Sequence, residues 1–208
     1  MLIPYSQLIR KHNINVTGIL HIGAHECEEL VPYVTNGVHY ENIYWIEAME
    51  DKVEENKKKY VKLNIYNETI DLQDGNEVVF NITNNGQSSS ILEFGSHEKN
   101  HPQVKVVKQV KKITSRMDTV IEKYNIPMDK INFINLDIQG VELRALKSME
   151  KYLSNIKYIY TEVNVEEVYK GCDQMSELDD YLKKFGFKRV DTNIVPQGWG
   201  DAFYIRDV

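Results

Sequence analysis

TGILHIGAHE (17–26) is the stretch on which the fold turns: a short apolar run, TGILHI (17–22), stops at Gly23. Apolar chain of that length closed by glycine reads as a buried strand. Residues 26–35 read as a helix stopped by Asn36-Gly37, and Pro32 inside it predicts a kink or a late start. NIYWIE (42–47) is a second buried strand, and EDKVEENKKKY after it has the acidic start and basic end that suit a helix dipole. KLNIYNETI (62–70) and EVVFNIT (77–83) flank Asp74-Gly75, a turn signal that predicts a hairpin. Residues 84–102 show no period, and a loop of that length in one domain is expected to be functional.

Further along, 104–113 reads as extended, and Ser115 with Asp118 resembles a helix start running to a stop at Pro127. INFINLD (131–137) and IKYIYTEV (156–163) are strands, with VELRALKSMEKYL (141–153) helical between them and SELDDYLKKFGF a helix after them. KRVDT and AFYIR are the last strands, joined by too few residues for a helical crossover, so they pair antiparallel or leave the sheet. Alternation of this kind predicts an α/β, Rossmann-like, doubly wound and mostly parallel seven-stranded sheet with an antiparallel C-terminal hairpin. Residues 1–208 are expected to form one domain, with 1–16 a helical extension and 84–102 an active-site lid.

The net charge of -6 disfavours nucleic acid as a partner, since phosphates call for a basic face. Lysine runs KKKY (57–60) and KQVKK (108–112) read as solvated surface. Cys27 and Cys172 form neither a disulfide framework nor a metal spacing, which fits a reducing, cytoplasmic setting. No stretch approaches the ~20 apolar residues of a membrane span.

In a doubly wound sheet ligands sit at the carboxyl ends of the strands. Gly23-Ala24 permits close approach to the backbone and to a helix start, whose amides suit a carboxylate. Glu47 stands where an acidic side chain accepts both hydroxyls of a ribose, and Asp71 ends the next strand. GAHECE lacks the second and third glycines of GxGxxG, which disfavours a dinucleotide. A tight turn and a helix cap are the plain alternatives for Gly23-Ala24 and Glu47. A sheet with an antiparallel last hairpin is the arrangement of methyltransferases that use S-adenosylmethionine, which dehydrogenases normally lack.

HIGAHECEE, WIEA, NNGQSSSILEF with HEKNHP, LDIQGVEL, TEVNVEEVYKGC and GWGDA together resemble the FkbM family of methyltransferases, from residue 18 to 206. The resemblance implies a class I methyltransferase fold, S-adenosylmethionine as donor, and commonly a sugar or small-metabolite hydroxyl as acceptor. Many members open with Asp-Val-Gly-Ala-Asn; here His21 replaces the aspartate and His25 the asparagine. Both histidines are expected on the donor side, with Ser89 of the GQSSS run closing over the cofactor or acceptor.

Asp137 ends a central strand, where it is suited to hold the methionine ammonium, ligate a metal or accept the hydroxyl proton; a helix N-cap is the alternative. Glu162 and Asn164 share a strand face. With Asp137 they make an oxygen-rich set that suits Mg2+, or they hydrogen-bond a sugar alongside Gln139. His97 and His101 are candidate bases, or surface residues of their loop. Trp199 is suited to stack on a pyranose and Asp201 to bind hydroxyls; a core tryptophan is the alternative. The leading reading is O-methyl transfer to a sugar, nucleotide sugar or glycan. An NAD-dependent nucleotide-sugar-modifying enzyme and a non-catalytic carbohydrate-binding domain compete with it.

Overall fold

In the computed structural model, which describes residues 1–207, the chain opens with helix α1 (Tyr5–His12) and enters the sheet through β1 (Ile19–Ile22). Helix α2 (Leu30–Thr35) starts late, as Pro32 predicts: proline is tolerated in the first turn of a helix, where no intrahelical N–H is required of it. β2 (Ile43–Glu47), α3 (Glu50–Lys59) and β3 (Asn64–Asn67) complete the first half. β4 (Thr69–Ile70), β5 (Glu77–Thr83), α4 (His97–Asn100) and β6 (Val106–Ser115) follow, then α5 (Met117–Lys123). β7 (Phe133–Leu136), α6 (Glu142–Ser148), β8 (Tyr158–Asn164), α7 (Met175–Lys183), β9 (Phe187–Ile194) and β10 (Trp199–Arg206) build the second half.

The main sheet has seven strands in the order β3-β2-β1-β7-β8-β10-β9. It is parallel except where β10 runs antiparallel to β8 and β9. β1 and β7 are buried along their whole length because both faces are covered, which is why they read as continuous apolar runs. One face packs on α5, α6 and α7 through Leu20, Ile134, Leu146, Ile159 and Leu182. The other packs on α1 and α2 through Ile19, Trp45, Phe133, Tyr160 and Phe203. No helix among the described residues is long and apolar enough to cross a membrane.

The expected hairpin about Asp74-Gly75 does not form. β3 joins the main sheet beside β2, whereas β4 and β5 both pair with β6 in a separate three-stranded sheet. The turn signal is local, but the partner of β5 arrives more than twenty residues later in the chain. Residues 84–102 are also more ordered than an aperiodic loop. The amides of Gly95 and Ser96 donate to the Val168 and Glu167 carbonyls at 2.9 Å, and Lys170 N–H donates to the Glu93 carbonyl at 2.9 Å. On the other side, Asn81 and Ser90 exchange backbone hydrogen bonds. The stretch therefore forms a roof tied down at both edges.

Candidate active site

The carboxyl ends of β1, β2, β7 and β8 and the roof enclose a cavity of about 510 Å3. Its wall carries seven acidic side chains and no lysine or arginine. His21, Gly23, His25, Glu47, Ser89, His97, His101, Asp137, Gln139, Glu162, Trp199 and Asp201 all line it. Three expected residues do not. Ala24 is buried against the α1/α2 face. Asp71 lies behind the wall, its carboxylate 3.8 Å from the Arg144 guanidinium. Asn164 is fully buried, and neither polar atom of its carboxamide has a partner.

On the β2 side, Glu47 is 5% exposed. It accepts the His25 amide on Oε2 and the Met49 amide on Oε1, each at 2.7 Å. Each oxygen keeps a lone pair, so two hydroxyls can still be received. Burial pushes the Glu47 carboxyl up, and the Met49 and His25 amides oppose that push. The Gly23 and Ala24 amides are not available to a ligand. Both donate to the Ile46 carbonyl, at 2.9 and 3.0 Å, and α2 begins only at Leu30. That removes the anion cradle the sequence suggested and, with it, the means of gripping a pyrophosphate. Gly23 is needed for another reason: with φ +96°, a Cβ there would stand 1.9 Å from the Asp137 carbonyl oxygen.

His21 does not reproduce the carboxylate it replaces. It is 3% exposed, stacks on Trp45 with centroids 4.6 Å apart, and meets the Tyr33 hydroxyl at 3.1 Å. Burial pushes its imidazole down to about 3, so it is neutral at physiological pH. His25 sits at the rim with a left-handed backbone, φ 41°. Its Nδ1 pairs with Glu28 at 2.9 Å, and its ring packs against Gly86 of the roof.

The centre of the cavity is organised by Gln139. Its Nε2 donates to Asp137 Oδ1 at 2.6 Å and to Glu162 Oε2 at 2.5 Å, while its Oε1 accepts the Tyr169 hydroxyl at 2.5 Å. The backbone of Gln139 is left-handed (φ 57°), and its carbonyl accepts Ser90 Oγ at 2.8 Å. Asp137 is not a helix cap. Asp173 takes the first amides of α6, Leu143 at 2.9 Å and Arg144 at 3.2 Å. The fully buried Glu142 accepts the Ile138 and Gly140 amides at 3.1 Å. Burial, then the charges of Asp137, Glu142 and Asp201, push the Glu162 carboxyl far up.

The set Asp137, Glu162 and Asn164 does not fit Mg2+. Asn164 is off the wall, and a donating NH2 stands between the two carboxylates where a cation would need to be. No group of three or more metal-ligating side chains is found among the described residues. His97 is 6% exposed and stacks on Phe94 at 4.3 Å, with its Nδ1 unpartnered. Burial and the His101 charge push it down to about 4. Trp199 borders both the cavity and the small cluster of Val168, Tyr169 and Cys172.

Sequence reasoning gave Gln139 a substrate contact and missed its role as a bridge. The signal lay in LDIQG, where an amide side chain precedes glycine at the end of a strand.

Residues 21–189 match the methyltransferase FkbM domain. Among solved structures, the chain is similar to magnesium protoporphyrin IX methyltransferase from Synechocystis PCC 6803 with bound SAM. That match has 10% identity, 98% of this chain and 76% of that one covered, and a TM-score of 0.52. A SAM-dependent methyltransferase from Aquifex aeolicus matches at 12% identity over 98% of this chain and 90% of that one, with a TM-score of 0.47. At 10% identity the first of these matches speaks for the fold alone. Among curated proteins none matches.

Proposed function

Since the chain belongs to the FkbM-domain family of S-adenosylmethionine-dependent methyltransferases, we propose that it methylates a hydroxyl of a sugar or other small polyol. One observation carries this reading. Asp137 and Glu162, at the ends of adjacent strands, are tied to a single amide donor inside the cavity that Glu47 also lines.

S-adenosylmethionine, when bound, supplies an electrophilic methyl group on a sulfonium. Glu47 accepts the ribose hydroxyls with the lone pairs its two amides leave free. The acidic wall favours a cationic donor over the neutral product, which helps product leave. Gln139 holds one oxygen of Asp137 and leaves Oδ2 free to receive the acceptor's proton. Glu162, which burial drives to keep its own proton, donates a hydrogen bond to a neighbouring hydroxyl and orients it. Neutral His97 is a second acceptor for that proton, and the roof excludes water. The site suits no step through Mg2+, so the reading is of metal-independent transfer. Its setting is proposed to be cytoplasmic.

The test is direct. Calorimetry should show one site for S-adenosylhomocysteine and none for NADH. A panel of sugars incubated with S-adenosylmethionine and the protein should yield a product heavier by one methyl group in place of hydrogen. Turnover that vanishes with EDTA and returns with magnesium would sink the metal-free mechanism.

A further inference from the structure

Gln139 holds a left-handed backbone (φ 57°) that side chains other than glycine, asparagine and aspartate seldom adopt. Asparagine would suit that backbone better, yet it is one methylene shorter than the side chain that spans Asp137 and Glu162. Backbone of this kind persists only where the surroundings hold it.

Two side chains do the holding. Ser90 Oγ donates to the Gln139 carbonyl at 2.8 Å. Oε1 of Glu142 accepts the Ile138 and Gly140 amides, each at 3.1 Å, and Oε2 also takes the Gly140 amide at 3.1 Å. Ile138 and Gly140 flank Gln139, so one carboxyl pins the chain on both sides of the strained residue.

Glu142 has no other evident task. It is fully buried and lines no part of the cavity. It is not what caps α6, because Asp173 takes the amides of Leu143 and Arg144. Burial pushes its carboxyl up to about 8 against the pull of the Gly140 amide, so near pH 7 lone pairs rather than charge hold the loop.

Resting on the methyl-transfer reading above, we infer that Glu142 is a positioning residue for the reaction, fixing the backbone of Gln139 and, through it, the spacing of Asp137 and Glu162. The geometry it protects is narrow. Nε2 of Gln139 meets the two carboxyls at 2.6 and 2.5 Å while Oε1 receives the Tyr169 hydroxyl. Release of the flanking amides lets the backbone of Gln139 turn and carries the shared donor away from Asp137. A shift of about 1 Å in a reacting group costs on the order of a hundredfold in rate. Because Glu142 acts only through Gln139, substitutions at the two positions are non-additive, which a role in stability alone does not produce.

The experiment is a double-mutant cycle of Glu142→Leu and Gln139→Met in the full chain at pH 7. Its readout is S-adenosylhomocysteine formed with the sugar of the panel that reacts fastest. Glu142→Leu alone should lower kcat on the order of tenfold, with KM for S-adenosylmethionine within about twofold. In the Gln139→Met background it should lower kcat no further. Glu142→Gln keeps the shape and an acceptor oxygen, and should hold kcat within about threefold of the unsubstituted chain. Glu142→Asp, drawn back by one methylene, takes the place of the leucine variant if that one does not fold. In parallel, NMR of the isotope-labelled chain follows the Gln139 side-chain amide, identified by its loss in Gln139→Met. Its resonances should move toward those of a free carboxamide in Glu142→Leu or Glu142→Asp and stay in place in Glu142→Gln. Additive losses of kcat, a loss as deep with glutamine as with leucine, or an unmoved amide resonance would each overturn the inference. If no sugar reacts, the methyl-transfer reading fails instead, and the amide resonance still decides whether Glu142 positions Gln139.

Discussion

The carbonyl oxygen of Asp137 occupies the space that a side chain on Gly23 would need, 1.9 Å from an ideal Cβ. The end of β1 and the end of β7 are thereby drawn together, and the carboxylate of Asp137 is delivered to the cavity wall beside Gly23.

Gly23→Ala should therefore cost well over the ~1 kcal/mol of an ordinary left-handed glycine replacement, because strain and a backbone clash combine. Gly37→Ala is the control: its φ is +95°, and its Cβ meets nothing within 4 Å. Urea midpoints should separate the two variants clearly. Equal losses would mean that the close approach is not required.

Glu47→Gln keeps the shape but removes the charge behind two amide contacts. Its affinity for S-adenosylhomocysteine, read by calorimetry, should fall by about 2 kcal/mol. Wild-type affinity in a folded variant would take Glu47 out of ribose binding.

Gln139→Met retains length and loses the donor shared by Asp137 and Glu162. Turnover should drop on the order of tenfold or more, while S-adenosylhomocysteine affinity changes by less than about twofold. A parallel loss of both would place Gln139 on the donor side instead.

Stability should pass through a maximum between two limbs of opposite sign. With His21 pushed down to about 3, only the unfolded chain takes up its proton below pH 6.5. Stability then falls as pH drops, by about 2 kcal/mol from this residue at pH 5. His97, at about 4, acts in the same direction. Glu142 is pushed up to about 8 by burial, so folding retains its proton and stability declines as pH rises from 4.5 to 8. Denaturation across that range should show a flatter acid limb in His21→Asn and a flatter alkaline limb in Glu142→Gln. An unchanged acid slope in His21→Asn would refute the assignment.

The strands of the main sheet were legible because burial on both faces leaves an unbroken apolar run, as in INFINLD and TGILHI. Their parallel arrangement was legible from the alternation with helices, and the C-terminal hairpin from the short link before AFYIR. The pairing of β5 was not, since Asp74-Gly75 looks the same whether the chain doubles back or moves to a new sheet. In the site, position at a strand end was enough to nominate Glu47, Asp137 and Glu162. It failed for Asn164, which is one pair beyond the cavity, and for Ala24, whose amide is spent on Ile46. His21 carried no sign in the sequence that it would lie flat on Trp45, because the two meet only through the parallel pairing of β1 with β2.

The roof is joined to the segment after β8 by main-chain bonds, and Gly95 has no room for a side chain: a Cβ there would stand 2.1 Å from the Glu167 carbonyl. Two stretches some seventy residues apart thus form one mechanical unit. An insertion in one shifts the other out of register unless it is matched, and it also moves Gly86 against the His25 ring that follows β1. A graft that moves residues 84–102 without residues 165–170 should fail to seat, because the main-chain partners of Gly95 and Ser96 stay behind.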